Sequence, residues 1–384
     1  MLRARPTGRR GLLGVSMIRI QARSCVAAAA AFAAALVLNG CATPEPEAPP
    51  PPPAPAPPPL PAVTLNEGVA QAASIYVAFM REAAAIEAGF TSAEAIQAAI
   101  RRGAAYEPAQ LSRGMIAYGS ILALQSPEFV QGVRSHASDP GRRQDMIARI
   151  VADPAYAATL PGAEAAAGLI IDTIGRDSAA MLAIADAVEE DAYTIQGRGD
   201  PRRRWAVVPI ADRSVRLEGA KALSAVQMLP SAEESARLFA AANSGSGLGV
   251  TPARSGPPYT PAVVRSLALA ALAALGAGGE DSRANTEALT VEQNSEFCLN
   301  MSKLMLFQCL AASRPSYEDI FCVGRHVARD LATCTAQNIT PVPVEIPATA
   351  VAGGAPDSAP VQTPVAEAAA AASVSATSSL NSTR

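Results

Sequence analysis

Between Val63 and about Asn243 the apolar positions recur at helical spacing, and Val69, Ile75, Phe79 and Ile86 fall on one face of a first predicted helix. Thr91-Ser-Ala-Glu94 reads as a capping box that opens a second helix, and Ser231-Ala-Glu-Glu234 opens a late one. Ser126-Pro127 and Asp153-Pro154 each set a capping side chain before a proline at the first helical position. The segments that follow them echo one another weakly, which is too little to establish a repeat. A long helix is expected over 163–193, where Gly168, Gly175 and several alanines would let another helix approach closely. Trp205-Ala-Val-Val-Pro-Ile210 is the only strand-like stretch, and Pro209 counts against it.

Residues 244–259 read as a Gly/Pro linker. Beyond it, Thr260-Pro261 starts an apolar helix carrying Leu267, Leu269, Leu272 and Leu275, which Gly276-Ala-Gly-Gly279 ends. Two further helices are expected, about 287–311 and 316–337. The fold class is therefore all-α, with a multi-helix domain over 63–243 and a region over 260–339 that ends in an antiparallel helical hairpin. Residues 340–384 are rich in Ala, Pro, Ser, Thr and Val with four charges, the composition of a disordered tail. Aromatic residues are only 4% of the chain, so the core must be built from aliphatic side chains and alanine at close helix spacing.

Four of the six cysteines, Cys298, Cys309, Cys322 and Cys334, lie in the hairpin. Two cysteines eleven residues apart on one helix are separated by about 16 Å, whereas a disulfide tolerates at most roughly 7 Å between Cα atoms. Pairing within either helix is thus excluded. A turn at Arg314-Pro315 makes the helices antiparallel, which gives an inner pair, Cys309–Cys322, and an outer pair, Cys298–Cys334. One angle fits poorly: twelve α-helical steps leave Cys334 about 120° from the face of Cys322. Either Cys322 lies in a first turn of different geometry or Cys334 lies past the helix end. The rival reading is a zinc site using Cys322 and His326, but the cysteine gaps lack close ligand pairs, so no metal is assigned. The arrangement resembles the twin-cysteine hairpins of coiled-coil-helix domains. Its gaps differ, so the resemblance carries over the architecture alone.

The first forty residues hold six arginines and no acidic residue, followed by an apolar run of 14 residues from Cys25 to Leu38 and then Asn39-Gly40-Cys41. These are the three parts of a secretory signal, residues 1–40, within which Met17 opens a compact signal of its own and is an alternative start. The apolar run is shorter than the roughly 20 residues a membrane span needs. Leu38-Asn39-Gly40-Cys41 resembles the lipobox of bacterial lipoproteins. That resemblance implies cleavage before Cys41, acylation of its thiol by membrane lipid, and an address in the bacterial cell envelope. Ala42, where an inner-membrane lipoprotein often has Asp, points to the outer membrane, facing the periplasm. Residues 41–62 then form a lipidated, Pro-rich linker with 12 prolines between 44 and 61. In polyproline II at about 3.1 Å per residue it would hold the domain roughly 55 Å from the lipid.

After position 40 the chain carries 25 basic and 34 acidic side chains, a net charge of −9 that disfavours nucleic acid as a partner. No cofactor motif and no catalytic constellation emerges. The two histidines, His136 and His326, lie in no metalloprotease motif, Lys221 and Lys303 lack a serine three residues before them, and Gly245-Ser-Gly-Leu-Gly249 lacks the lysine of a phosphate loop. Glu82, Glu87, Glu94, Asp172 and Asp177 lie on helices without a partner to single one out as an acid. Arg202, Arg203, Arg204 and Trp205 form the densest basic cluster, a candidate patch for an anionic ligand or else a solvated turn beside the acidic run Glu189-Glu190-Asp191. The leading expectation is a non-enzymatic envelope scaffold that binds an unknown envelope protein. A peptidoglycan hydrolase with a Glu in a helical cleft and a carrier of small hydrophobic ligands are the alternatives.

Overall fold

The computed structural model describes residues 60–198 and 201–341, and among them every regular element is helical. In chain order these are α1 (Glu67–Ala84), α2 (Ala93–Ala104), α3 (Pro108–Leu124), α4 (Pro127–His136), α5 (Pro140–Ala152), α6 (Ala163–Arg198) and α7 (Arg204–Val207). They continue with α8 (Arg213–Ser224), α9 (Ala232–Ser244), α10 (Pro261–Ala274), α11 (Arg283–Leu289), α12 (Gln293–Ala312), α13 (Ser316–Val323) and α14 (Asp330–Ile339). The signal, Cys41, nearly all of the Pro-rich linker and the tail beyond 341 lie outside the described residues.

Local chemistry sets most helix starts. The Ser126 side chain accepts from the amide of Phe129 at 3.3 Å and that of Thr260 from Val263 at 3.3 Å, each with proline next in line to open α4 and α10. Ser231 caps α9 through the amide of Glu234, as its sequence predicts. The box at 91–94 is displaced by one residue: Ser92, not Thr91, is the cap, and it accepts from Ala95 at 3.2 Å. Asp153-Pro154 opens a 3-10 turn, Pro154–Thr159, instead of an α-helix. The strand-like stretch becomes α7 followed by an isolated bridge from Pro209 to Pro315.

The core is centred on α10, whose Leu267, Leu269 and Leu272 are all 0% exposed. A helix apolar all round is stable only where other helices surround it, and α3 packs along it, with the Ser266 hydroxyl donating to Ile116 O at 3.0 Å. This corrects the expected division. Ser244 still belongs to α9 and only 245–259 have an irregular backbone, and the 244–259 segment does not separate a 63–243 domain from a 260–339 region, because Leu248, Val250 and Tyr259 pack on the shared core. Gly168 is part of the reason. It lets the backbone of Ala253 and Arg254, not another helix, run against α6 where a Cβ would collide.

The C-terminal hairpin is closed by two disulfides, Cys298–Cys334 and Cys309–Cys322, each with Cα atoms 5.7 Å apart. Neither suggested cause of the 120° mismatch holds, because Cys322 is seven residues into its helix and Cys334 lies inside α14. The backbone from Gly324 to Arg329 is instead a π-helical turn, in which the Asp330 amide donates to Arg325 O, five residues back. A turn of this kind absorbs about one extra residue. Twelve residues then span the angle of eleven, and Cys334 returns to within about 20° of the face of Cys322. The hairpin lies along α6: Arg329 pairs with Glu189 and Asp186, both at 2.6 Å, and Gly324 leaves room for the Glu189 side chain.

Candidate functional site

α8 is the shortest path from the sequence to a site. Its first turn carries Arg213 and Arg216, which reach back to the C-terminal end of α12. Arg213 Nε donates to Ser313 O at 2.7 Å, and Arg216 Nη2 donates to Leu310 O. Helix C-termini present unpaired carbonyls and a partial negative charge, so two guanidiniums there satisfy both. Arg216 Nη1 also donates to Asp319 Oδ1 at 2.6 Å, and Asp319 accepts from Ser313 Oγ at 2.6 Å and Gln97 Nε2 at 3.2 Å. Asp319 is fully buried. Burial holds its carboxyl above the usual range, against the opposing pull of Ser313, Arg216 and Gln97.

This buried pair underlies a cleft of about 600 Å³. One wall is α2, with Glu94, Gln97, Ile100 and Arg101; another is the 205–212 segment, with Trp205, Val208, Pro209, Ile210 and Asp212; and α8 adds Val215, Arg216 and Gly219. At the rim, Val208 is 55% and Val215 69% exposed. A second apolar groove of about 400 Å³ lies at the other end of α8. Phe79, Leu223, Val226 and Met228 line it beside Leu229, which is 84% exposed.

The structure disperses the Arg202–Trp205 cluster. Trp205 is half-buried and lines the cleft, while none of the three arginines is among the lining residues. Arg203 pairs with Asp191, whose other oxygen accepts from Gly89 N at 3.0 Å, and Arg204 is exposed. Arg202 is exposed and also has an interaction partner. The acidic run before them is divided likewise, since Asp191 turns to Arg203 and Glu189 to Arg329. Around the cleft Glu94 and Asp212 offset Arg101 and Arg216, so the lining has no excess of positive charge to select an anion. The Glu94 carboxyl is held below its ordinary range by its own backbone amide and the Ser92 hydroxyl. That direction is opposite to what a general acid needs.

Lys303 was not singled out by sequence beyond being one of two lysines. It is buried on α12, where its ammonium donates to Tyr106 O and, at 3.0 Å, to Ser224 O, and sits 4.2 Å over the Tyr106 ring. Burial pushes its pKa down to about 8, against the pull of Glu107. With its donors committed to carbonyls, it anchors the end of α8 to the loop before α3. Sequence could have flagged it only as a lone lysine on an otherwise inward-facing position. His326 Nδ1 lies 3.1 Å from Asp330 Oδ2, and the thiols of all four hairpin cysteines are consumed in the two disulfides. Comparison with protein-family models, with curated proteins and with solved structures gives no match, so the geometry of the cleft alone carries the functional reading.

Proposed function

We propose that this chain is a lipoprotein of the bacterial cell envelope, anchored through acylated Cys41 in the outer membrane and facing the periplasm, whose helical unit binds a partner protein in the cleft beside α8. The lipobox-like Leu38-Asn39-Gly40-Cys41 supports the anchor. Among the described residues, no helix is long and apolar enough to cross a membrane. The observation that carries the binding reading is the cleft itself, where Ile100, Trp205, Pro209 and Ile210 give apolar lining between a few polar side chains, exposed valines stand at its lip, and Arg216 in its lining is held by buried Asp319. Concave apolar surface with a few polar groups is what recognition sites present, and contiguous exposed apolar surface on a folded protein marks an interaction site. The hydrolase alternative finds no support in Glu94, whose carboxyl is shifted toward the ionised form.

A photo-crosslinking amino acid at Val215, in the full chain expressed in its envelope, tests the reading. A discrete adduct of one protein is expected, abolished by Trp205→Asp and absent when the crosslinker is moved to Val151 on α5, away from the cleft. Equal, diffuse labelling at both positions would refute a specific cleft. Radiolabelled palmitate should enter the wild-type chain and not Cys41→Ser. Label retained in the serine variant would refute the anchor.

A further inference from the structure

Where α1, α3, α12 and α14 meet, three side-chain hydroxyls converge without partners. Tyr76 comes from α1, Ser112 from α3 and Ser295 from the first turn of α12; their exposures are 2%, 0% and 0%. None of the three oxygens makes a hydrogen bond. All three line one small interior cavity, about 10 Å³, whose remaining polar lining is Thr335 and Asn338 on α14. Asn338 already uses its amide nitrogen on Cys334 O at 2.7 Å, which fixes the side chain in place.

A buried hydroxyl left unpaired gives up its hydrogen bonds to water and regains none in the fold, which destabilises the folded state. Three such groups at one point are therefore not a random packing flaw. A cavity of roughly 10–15 Å³ on this measure accommodates one water, and internal waters typically make about three hydrogen bonds. The lining elsewhere is apolar and carries no charge, so the chemistry suits a small neutral molecule that both donates and accepts, and excludes an ion.

We infer that the cavity is a binding site for a single internal water, held by Tyr76, Ser112 and Ser295. The water completes the polar seam between the N-terminal helix pair α1 and α3 and the disulfide-bonded helices α12 and α14. It accepts from at least one hydroxyl and donates to two, a set that the three rotatable O–H groups meet without strain. Cys334 borders the cavity, so the outer disulfide and the water secure the same junction from two sides.

Water–protein cross-relaxation on the full chain with both disulfides intact tests this directly. Tyrosine- and serine-labelled protein should show a same-sign water cross-peak at the Tyr76 ring and the Ser112 and Ser295 β-protons, the signature of one long-lived molecule. In Ser112→Val the added methyl groups fill the cavity, and the cross-peaks at Tyr76 and Ser295 should vanish. Tyr76→Phe should leave the peak at Ser295 in place but shorten the residence time of the water. No cross-peak at any of the three residues in the wild-type chain would overturn the inference. So would cross-peaks that survive Ser112→Val unchanged. If that variant does not fold, the wild-type spectrum still decides the question.

Discussion

The π turn at Gly324–Arg329 makes a prediction opposite to ordinary intuition about deletions in helices. Removing Arg325, which is exposed, should leave both disulfides intact. The turn exists to absorb one residue, so its loss lets α13 and α14 join as one α-helix with Cys322 and Cys334 eleven steps apart, about 20° from a common face. Removing Arg325 and His326 together should break the outer pair. Ten steps turn Cys334 a further 100° or so on a Cα cylinder of about 2.3 Å radius and draw it about 1.5 Å along the axis. From the observed 5.7 Å, that takes the Cys298–Cys334 Cα separation to about 9 Å, past the roughly 7 Å limit. The lost bond closes a sequence separation of 36 residues, so its absence should cost about 3–4 kcal/mol. Alkylation of the denatured, unreduced proteins followed by intact mass counts free thiols in each, and urea unfolding gives the stability change. The double deletion is expected to show two more alkylated cysteines than the wild type, and the single deletion no more than the wild type. Extra free thiols in the single deletion, or no extra ones in the double, would refute the account of the turn as a phase corrector.

Further outcomes follow from the charged groups. Asp319→Ala or Arg216→Met alone leaves one buried charge uncompensated and should cost about 3–5 kcal/mol, whereas removing both should cost clearly less than the sum; a double-mutant cycle by urea unfolding checks this, and additive losses would contradict a coupled pair. Lys303 has a folded pKa of about 8, below the value of 10.5 for an unhindered lysine. The unfolded chain therefore binds its proton more tightly between those values, and stability should rise with pH across that window in the wild type and not in Lys303→Met. A flat difference between the two unfolding curves from pH 7.5 to 9.5 would refute the burial argument. Tyr118 is pushed up to about 12 by burial and the nearby Asp177, and burial drives Tyr76 and Tyr106 higher still. Their contribution is fully present below the unfolded value of 10.0 and is lost as pH rises toward the folded values. Tyrosinate absorbance should therefore grow in step with loss of helical circular dichroism above pH 10, and ionisation ahead of unfolding would show these rings to be solvated.

What the sequence determined by itself was local. The 3.6-residue recurrence of apolar side chains, the Ser-Pro and Thr-Pro caps and the early stop at Gly276 are contained in a few adjacent residues, so the all-α class and most helix starts were legible. The cysteine pairing was legible too, since helix rise rules out the intrahelical pairs and the antiparallel turn at Arg314-Pro315 chooses between the two connectivities left. Tertiary structure decided the rest. Whether 244–259 divides the chain depended on what packs against Gly168 and on α10 filling the centre, and neither is encoded near the segment itself. The π turn followed from Gly324 and Arg329 meeting Glu189 on α6, 135 or more residues earlier in the chain. The arginine cluster looked like one patch because its members are neighbours in sequence. In the fold Arg203 turns to Asp191 and Trp205 to the cleft, while Arg216 and Gln97 of the cleft lining and the buried Asp319 that accepts from both come from three separate helices. Spacing along a chain reports which side chains share a helix face; only packing decides which faces meet, because burial energy depends on partners drawn from anywhere in the sequence.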